Sequence, residues 1–349
     1  MFGKKKSLVG LDIGEHSVKA VELTDSNGHL RLTGFGCAPL PNKNALKDTI
    51  ANVLRESGIR CRRVVSAVCG RSVIVRYVNM VSMSDDDLKN ALRFEADKYI
   101  PFDIDEVVLD CQRLEETTPA EGKDGAARGE KEMKVLLVAV KRTLIEEHVN
   151  LLAELGLQPV AIDVDSFAIG NAFELKTLHS PRVQDDNRVV ALIDIGATKT
   201  EINIMRGTIS YFSREIYLAG NDFTEAIGNR LSLETHEAER TKISPDGREH
   251  EVEEAVLPIL DDLGNEVHLS FDYYENQYDH QVEEIYISGG SSALPGIENA
   301  FDRIFNRKVL FWDPTENLEV RSDHVDVDAL KAAAPQLAVA VGLATRLLD

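Results

Sequence analysis

The stretch Leu192–Met205, LIDIGATKTEINIM, decides the reading of this chain. An apolar run from Val189 to Ile193 leads into Asp194-Ile195-Gly196, and an apolar-rich segment follows. That pattern is a β-hairpin with a carboxylate and a glycine at its tip. It occurs once before, in VGLDIGEHSVKAVEL, Val9–Leu23. Two Asp-Ile-Gly hairpins so far apart point to a duplicated domain with a site between its halves.

The 349 residues are too many for one ordinary domain, so two domains with insertions are expected. Apolar residues at 43% and charged residues at 28% suit a folded, soluble chain. No apolar run reaches the roughly 18–20 residues of a membrane span. Lys4, Lys5 and Lys6 precede only a short apolar strand before Asp12, which argues against a secretory signal and for a cytoplasmic protein. A net charge of −20 argues against nonspecific nucleic-acid binding, which needs clustered cations. Two small basic groups, Lys4–Lys6 and Arg60, Arg62 and Arg63, read first as solubilising surface. Cys37, Cys61, Cys69 and Cys111 lack metal-ligand spacing and are expected to be reduced, small buried residues.

Residues 7 to 36 predict three strands, with a tight turn at Asn27-Gly28. Leu46, Ile50, Val53 and Leu54 share one face of a helix that Gly58 stops, and VVSAVCG is a buried strand. An inserted α+β unit follows, from about Arg71 to Gly156. It has a strand, a helix from Ser84 to about Tyr99, two strands joined by a polar loop at 115–132, and a helix from Arg142 to Leu155. Asp85, Asp86 and Asp87 suit the positive first turn of a helix better than a metal cluster. A strand at Pro159–Val164, a helix at Phe167–Leu175 and a polar linker at 179–188 lead to the second half. There LAGNDFTEAIGNRL predicts a glycine turn into a helix. EAERTKIS and the acidic helical region Glu249–Tyr278 read as a second insertion. VEEIYISGGSSALPGIENAF reads as strand, glycine turn, helix. KVLFWDP is a short strand, residues 315–330 a polar connection, and APQLAVAVGLATRLL a buried helix of small residues.

Several of these motifs suit a phosphate ligand. In Asp12-Ile13-Gly14…Lys19, Gly14 lets backbone amides approach a phosphate, Lys19 neutralises it, and Asp12 holds magnesium, through water. An ordinary Asp-Gly turn explains this motif taken alone. The matching tip Asp194-Ile195-Gly196, with Thr198 and Thr200 as hydroxyl donors, makes the pair harder to explain that way. Asp194 is the second candidate to hold magnesium. Gly289 and Gly290 after a strand leave backbone on which a base or ribose can lie. Glu239 and Lys242, three apart on a helix, could hold ribose hydroxyls or form a surface ion pair. His16 beside the first tip is read as incidental. Nothing resembles a Ser/His/Asp or Cys/His catalytic set.

In this order the motifs resemble the actin, sugar-kinase and heat-shock-chaperone ATPase superfamily. LAGNDFT, Leu218–Thr224, resembles the stretch where a glycine meets the nucleotide. Within it the chain is most similar to the PilM family of type IV pilus assembly proteins, relatives of FtsA. KKKSLVGLDIG, DDLKNALRFEADKYIPFDIDEVVLD and APQLAVAVGLATRL carry that likeness. It implies a duplicated, ribonuclease-H-like α/β fold with a nucleotide cleft. The implied parts are subdomain 1A at 1–70, an SHS2-like 1C at 71–156, a return to 1A at 157–187, 2A at 188–217, 2B at 218–282, a return to 2A at 283–330, and a terminal helix on 1A at 331–349. It also implies ATP and magnesium in the cleft. Asp12, Gly14, Ser17, Lys19, Asp194, Gly196, Thr198, Thr200, Gly220, Glu239, Lys242, Gly289, Gly290 and Ser291 would be the cofactor-binding set.

The implied role is a cytoplasmic scaffold, peripheral at the inner membrane. It would bind the N-terminal tail of a PilN-like membrane protein, with further pilus-platform proteins or self-association as other contacts. Glu15 replaces the usual Thr or Ser of the first tip, and Ala197 stands where vigorous ATPases carry a carboxylate or glycine. Hydrolysis is therefore expected to be slow or absent. An FtsA-like filament protein remains an alternative, although no amphipathic helix stands at Leu347-Leu348-Asp349. A sugar kinase of the same fold is a more distant one, because no aspartate base is evident.

Overall fold

The computed structural model describes residues 6–26, 29–117, 131–178, 188–321 and 323–346. The Asn27-Gly28 turn, residues 118–130 of the polar loop, residues 179–187 of the linker, Lys4, Lys5 and the end at 347–349 lie outside the described residues. Contacts divide the chain into two compact units, Val68–Leu152 and the remainder.

In chain order the elements begin with β1 (Lys6–Ile13), β2 (Ser17–Ser26), β3 (His29–Pro39), α1 (Leu46–Glu56) and β4 (Arg63–Val68). Then come β5 (Val73–Val81), α2 (Asp85–Glu95), β6 (Val107–Thr117), β7 (Glu132–Lys141) and α3 (Arg142–Glu154). After β8 (Gln158–Val164) and α4 (Asp165–Leu178) the chain forms β9 (Val189–Ile195), β10 (Thr200–Arg206) and β11 (Ile209–Ile216). Three helices follow, α5 (Gly220–Leu231), α6 (Thr235–Ile243) and α7 (Glu249–Tyr278). The rest is β12 (Glu284–Ser288), α8 (Ile297–Phe305), β13 (Val309–Phe311), β14 (Glu319–Val320), α9 (Val327–Ala333) and α10 (Ala338–Thr345).

The larger unit holds a six-stranded sheet, β14-β3-β2-β1-β4-β8, and a five-stranded sheet, β11-β10-β9-β12-β13. Each is built on an antiparallel meander of three strands joined by parallel ones, so the duplication read from the two hairpins is a duplication of sheets. Leu8, Val9 and Leu11 of β1 are essentially inaccessible, as a central strand requires. The helix α10, AVAVGLAT, is buried along its whole length against β1 and α4. Its small residues set that approach. A Cβ on Gly10 would lie 1.9 Å from the Ala340 carbonyl oxygen, and one on Gly342 would lie 1.7 Å from that of Ala168. The other core packs α5, α7 and α8 around the five-stranded sheet through Phe223, Val256, Leu260, Val267 and Phe301.

The smaller unit is a three-stranded antiparallel sheet, β5-β7-β6. Leu88 and Leu92 of α2 share its core with Met133, Val135 and Leu137. The Ser84 hydroxyl accepts from the Asp87 amide at 3.2 Å, so Asp85–Asp87 form the acidic first turn.

Three expectations need correction. The helix begun at Ser84 ends at Glu95 and tightens into one 3₁₀ turn, Ala96–Lys98, short of Tyr99. The polar connection at 315–330 contains β14, which pairs with β3 and is held by Arg31 donating to Glu319 at 2.8 Å. The cysteines are not core residues: Cys37 is exposed and Cys61, Cys69 and Cys111 are half-buried.

Candidate functional site

The antiparallel register of β1 and β2 explains the spacing of the first motif. Asp12 stands directly opposite Lys19, and the Lys19 ammonium donates to the Asp12 carboxylate at 3.0 Å. The Gly14 amide closes the tip by donating to the Ser17 carbonyl at 3.0 Å. The second tip repeats this bond, from the Gly196 amide to the Lys199 carbonyl at 3.0 Å. Its charges differ. Opposite Asp194, where the first hairpin places a lysine, stands Glu201. Lys199 supplies the cation instead, donating to Asp165 at 2.9 Å and to Glu201, with Glu215 at 3.5 Å.

Five carboxylates (Asp12, Asp165, Asp194, Glu201 and Glu215) therefore share two lysines, Lys19 and Lys199. Asp194 feels Lys19, Asp12 and Asp165, so the two tips face each other across one electrostatic site. Burial pushes the Asp12 carboxyl up against the pull of Lys19. It pushes Asp194 up to about 6, opposed by the Ser288 hydroxyl, which donates at 2.7 Å, and by Lys19. Burial likewise raises Glu201, with Lys199 opposing. For Lys19 burial disfavours the charge, but the Asp12 carboxylate outweighs it and the ammonium is held above its usual value. This surplus of negative charge suits a divalent cation. Among the described residues no three His, Cys, Asp or Glu side chains converge closely enough to ligate one. The donor set fits a cation held through water, the mode favoured by magnesium.

The remaining motif residues close around the tips. Gly220 opens α5, and its amide donates to the Gly196 carbonyl at 3.0 Å, as does the Ser291 hydroxyl at 2.9 Å. A Cβ on Gly220 would sit 2.3 Å from the Ser291 hydroxyl, so here the glycine is required by packing. Gly289, at φ +96°, lies against the Ile195 backbone, and a Cβ there would stand 2.4 Å from the Ile195 carbonyl oxygen. Gly290 is different. It is exposed, and a Cβ there would meet only Gln336, at 3.8 Å. Packing does not demand this glycine, and the open backbone beside it fits a flat ring. Ser17 and Thr198 are half-buried at their tips, and Glu15 is exposed. Thr200 is fully buried and its hydroxyl donates to the Leu218 carbonyl at 2.8 Å, so it ties β10 to the loop before α5.

Glu239 and Lys242, on α6, form an ion pair at 2.7 Å, and Lys242 also donates to the Gly220 carbonyl at 2.9 Å and to the Thr224 hydroxyl at 2.8 Å. Burial works to raise the Glu239 pKa, but hydrogen bonds from Lys242 and Thr224 hold it below the usual carboxylate range. Glu239 faces a cleft of about 1510 Å³ whose other wall carries His16, Pro39 and Leu40. That exceeds the roughly 300–1,000 Å³ of common small-molecule pockets; Glu239 lines it, while the two Asp-Ile-Gly tips and Gly289-Gly290 do not.

Sequence reasoning missed Lys199, Asp165, Glu201 and Glu215 as a cluster, and Thr224 as the link between α5 and α6. Laying the two tips over each other would have shown Glu201 in the place of Lys19. His16, read as incidental, lines the cleft opposite Glu239.

The family profile described as type IV pilus assembly protein PilM matches residues 10–348. The cell division protein FtsA of Bacillus subtilis (strain 168) is 22% identical over 362 residues, spanning 88% of this chain and 78% of the relative. Among solved structures, the PilM-PilN type IV pilus biogenesis complex matches with TM-score 0.84 and 29% identity over 98% of both chains. The ethanolamine utilization protein EutJ of Carboxydothermus hydrogenoformans matches with TM-score 0.55 and 15% identity, over 97% of this chain and 89% of that one. MreB5 of Spiroplasma citri, bound to ADP, matches with TM-score 0.52 and 12% identity, over 99% and 96%. The fold is that of the actin-like ATPases.

Proposed function

The chain belongs to the type IV pilus assembly protein PilM family, and on that basis we propose that it is a cytoplasmic, nucleotide-binding scaffold that holds the N-terminal tail of a PilN-like inner-membrane protein. The observation that carries the partner is the likeness, along the whole chain, to a protein solved in a PilM-PilN complex. No single described helix is long and apolar enough to cross a membrane.

The nucleotide half of the proposal rests on the paired tips. Asp12 and Asp194 would hold a magnesium ion through water, and Lys19 would neutralise phosphate charge. Gly14 and Gly196 leave their own positions in the two tips without a side chain. Glu239 and Lys242 would meet the ribose, and Gly290 would offer bare backbone to the base. The magnesium ion that accompanies ATP would supply the positive charge that the carboxylate cluster lacks. Ala197 stands where vigorous ATPases of this fold carry a carboxylate or glycine, so turnover would be slow or absent. Nucleotide sets the relation of the two sheets only by its difference in affinity between their arrangements.

Titration of a synthetic PilN-like N-terminal tail into the full chain, with and without magnesium-ATP, tests the partner. Saturable binding of the tail is expected. No binding under either condition would overturn the scaffold reading.

A further inference from the structure

A chain of net charge −20 carries a concentrated basic face. Arg60, Arg62 and Arg63 follow the end of α1 at Glu56 by four, six and seven residues, and all three are exposed. The parallel register of β1 with β4, Val9 beside Val64, brings Lys6 to the same end of the sheet. The Cys61 thiol, donating to the Ser7 carbonyl at 3.4 Å, ties the two strands there. A pocket of about 510 Å³ opens on this end, with Leu54, Ile59 and Leu155 in its wall and Arg55, Arg60 and Arg62 around it. Arg55 lies 3.6 Å from Glu56, whereas Arg60, Arg62 and Arg63 form no ion pair among the described residues. Glu154, the acid next to Leu155, is paired with Lys47.

The nearby acids are Asp25, opposite Lys6, and Glu22, beside Cys61, but neither pairs with the three arginines, and gathered like charges repel one another unless something anionic meets them. We propose that this pocket and its arginines receive the phosphate of an anionic phospholipid headgroup, laying the basic end of the six-stranded sheet on a membrane surface. Guanidinium groups match phosphate oxygens in a fork geometry that a lone ammonium lacks. The apolar wall suits the glycerol carbons beside the phosphate. The basic groups also extend past the pocket, to Arg63, as a surface of many headgroups requires and a single acidic side chain does not. The acidic remainder of the chain is repelled by the same membrane, so the field turns this end toward it. Asp12 stands at the other end of β1, about 20 Å away at the usual rise per residue, so the nucleotide tips face away from the lipid.

This site is independent of the nucleotide reading. It is tested by sedimenting the full chain with phosphatidylcholine vesicles, with and without phosphatidylglycerol, at low and raised salt. Binding is expected only with phosphatidylglycerol and should weaken with salt. Arg60→Gln and Arg62→Gln should each reduce it about fivefold, and together about 25-fold. Lys308→Gln, a change at a lysine outside this face, should leave it unchanged. Thermal melts and magnesium-ATP titrations of the same variants separate loss of the lipid site from loss of fold or of the nucleotide site. Equal binding to neutral vesicles, or binding indifferent to the arginines, would overturn the proposal. So would an arginine-dependent capture of polyglutamate or inorganic phosphate without any capture of vesicles.

Discussion

The Ser291 hydroxyl donates to the carbonyl oxygen of Gly196 at 2.9 Å, and this bond joins the glycine turn after β12 to the second tip. The same oxygen accepts the Gly220 amide at 3.0 Å, so three motifs distant in sequence meet at one atom. Gly220→Ala would push a methyl group to 2.3 Å from the Ser291 hydroxyl. We expect about 1–3 kcal/mol of destabilisation and weakened magnesium-ATP binding, measured by thermal melt and calorimetry.

Gly290→Ala makes the complementary case. Its methyl group would meet only Gln336, at 3.8 Å. Thermal stability should be nearly unchanged, while magnesium-ATP binding weakens by about 1 kcal/mol because the methyl group stands where a ring would lie. Unchanged affinity would remove Gly290 from the site.

Lys199 is the cation shared by Asp165, Glu201 and Glu215. Lys199→Met would leave these carboxylates together without it, and a loss of about 3 kcal/mol is expected by denaturant titration. Glu201→Gln acts in the opposite direction. The folded chain holds the Glu201 proton above the ordinary glutamate value of 4.5, so the folded state binds more protons than the unfolded one there. Stability from this group is therefore lost as pH rises from 4.5 to its raised folded value. The Gln variant lacks that loss, and its melting temperature should exceed that of the wild type on the alkaline side and match it more closely in acid.

Gly342→Val tests the core. Even a Cβ would lie 1.7 Å from the Ala168 carbonyl oxygen, so α10 cannot keep its approach to α4. A loss of about 3 kcal/mol or more is expected, read as loss of soluble, cooperatively melting protein.

Much of this architecture is legible in the sequence because it is local. Asp12 and Lys19 lie seven residues apart because a tight antiparallel hairpin sets them opposite each other. The small residues of 338–345 announce a helix that must approach backbone closely. What escaped is long-range. Lys199 meets Asp165 from α4 and Glu215 from β11, and no periodicity reports that convergence. Thr200 resembles a phosphate donor in the string ATKT, but the alternation of β10 turns it inward to Leu218. β14 is two residues long and depends on β3 for its existence, so nothing local in Glu319-Val320 marks it as a strand. Ser291 could be named as a site residue, but its bond to Gly196 follows from how the turn after β12 passes over β9.

Whether the paired tips hold magnesium-ATP is decided by calorimetric titration of the nucleotide into the full chain. Wild-type protein should bind, and Lys19→Ala and Asp194→Ala should each bind at least about tenfold more weakly, or about 1.4 kcal/mol, while remaining folded. Magnesium-ATP affinity equal to wild type in both folded variants would contradict the clamp.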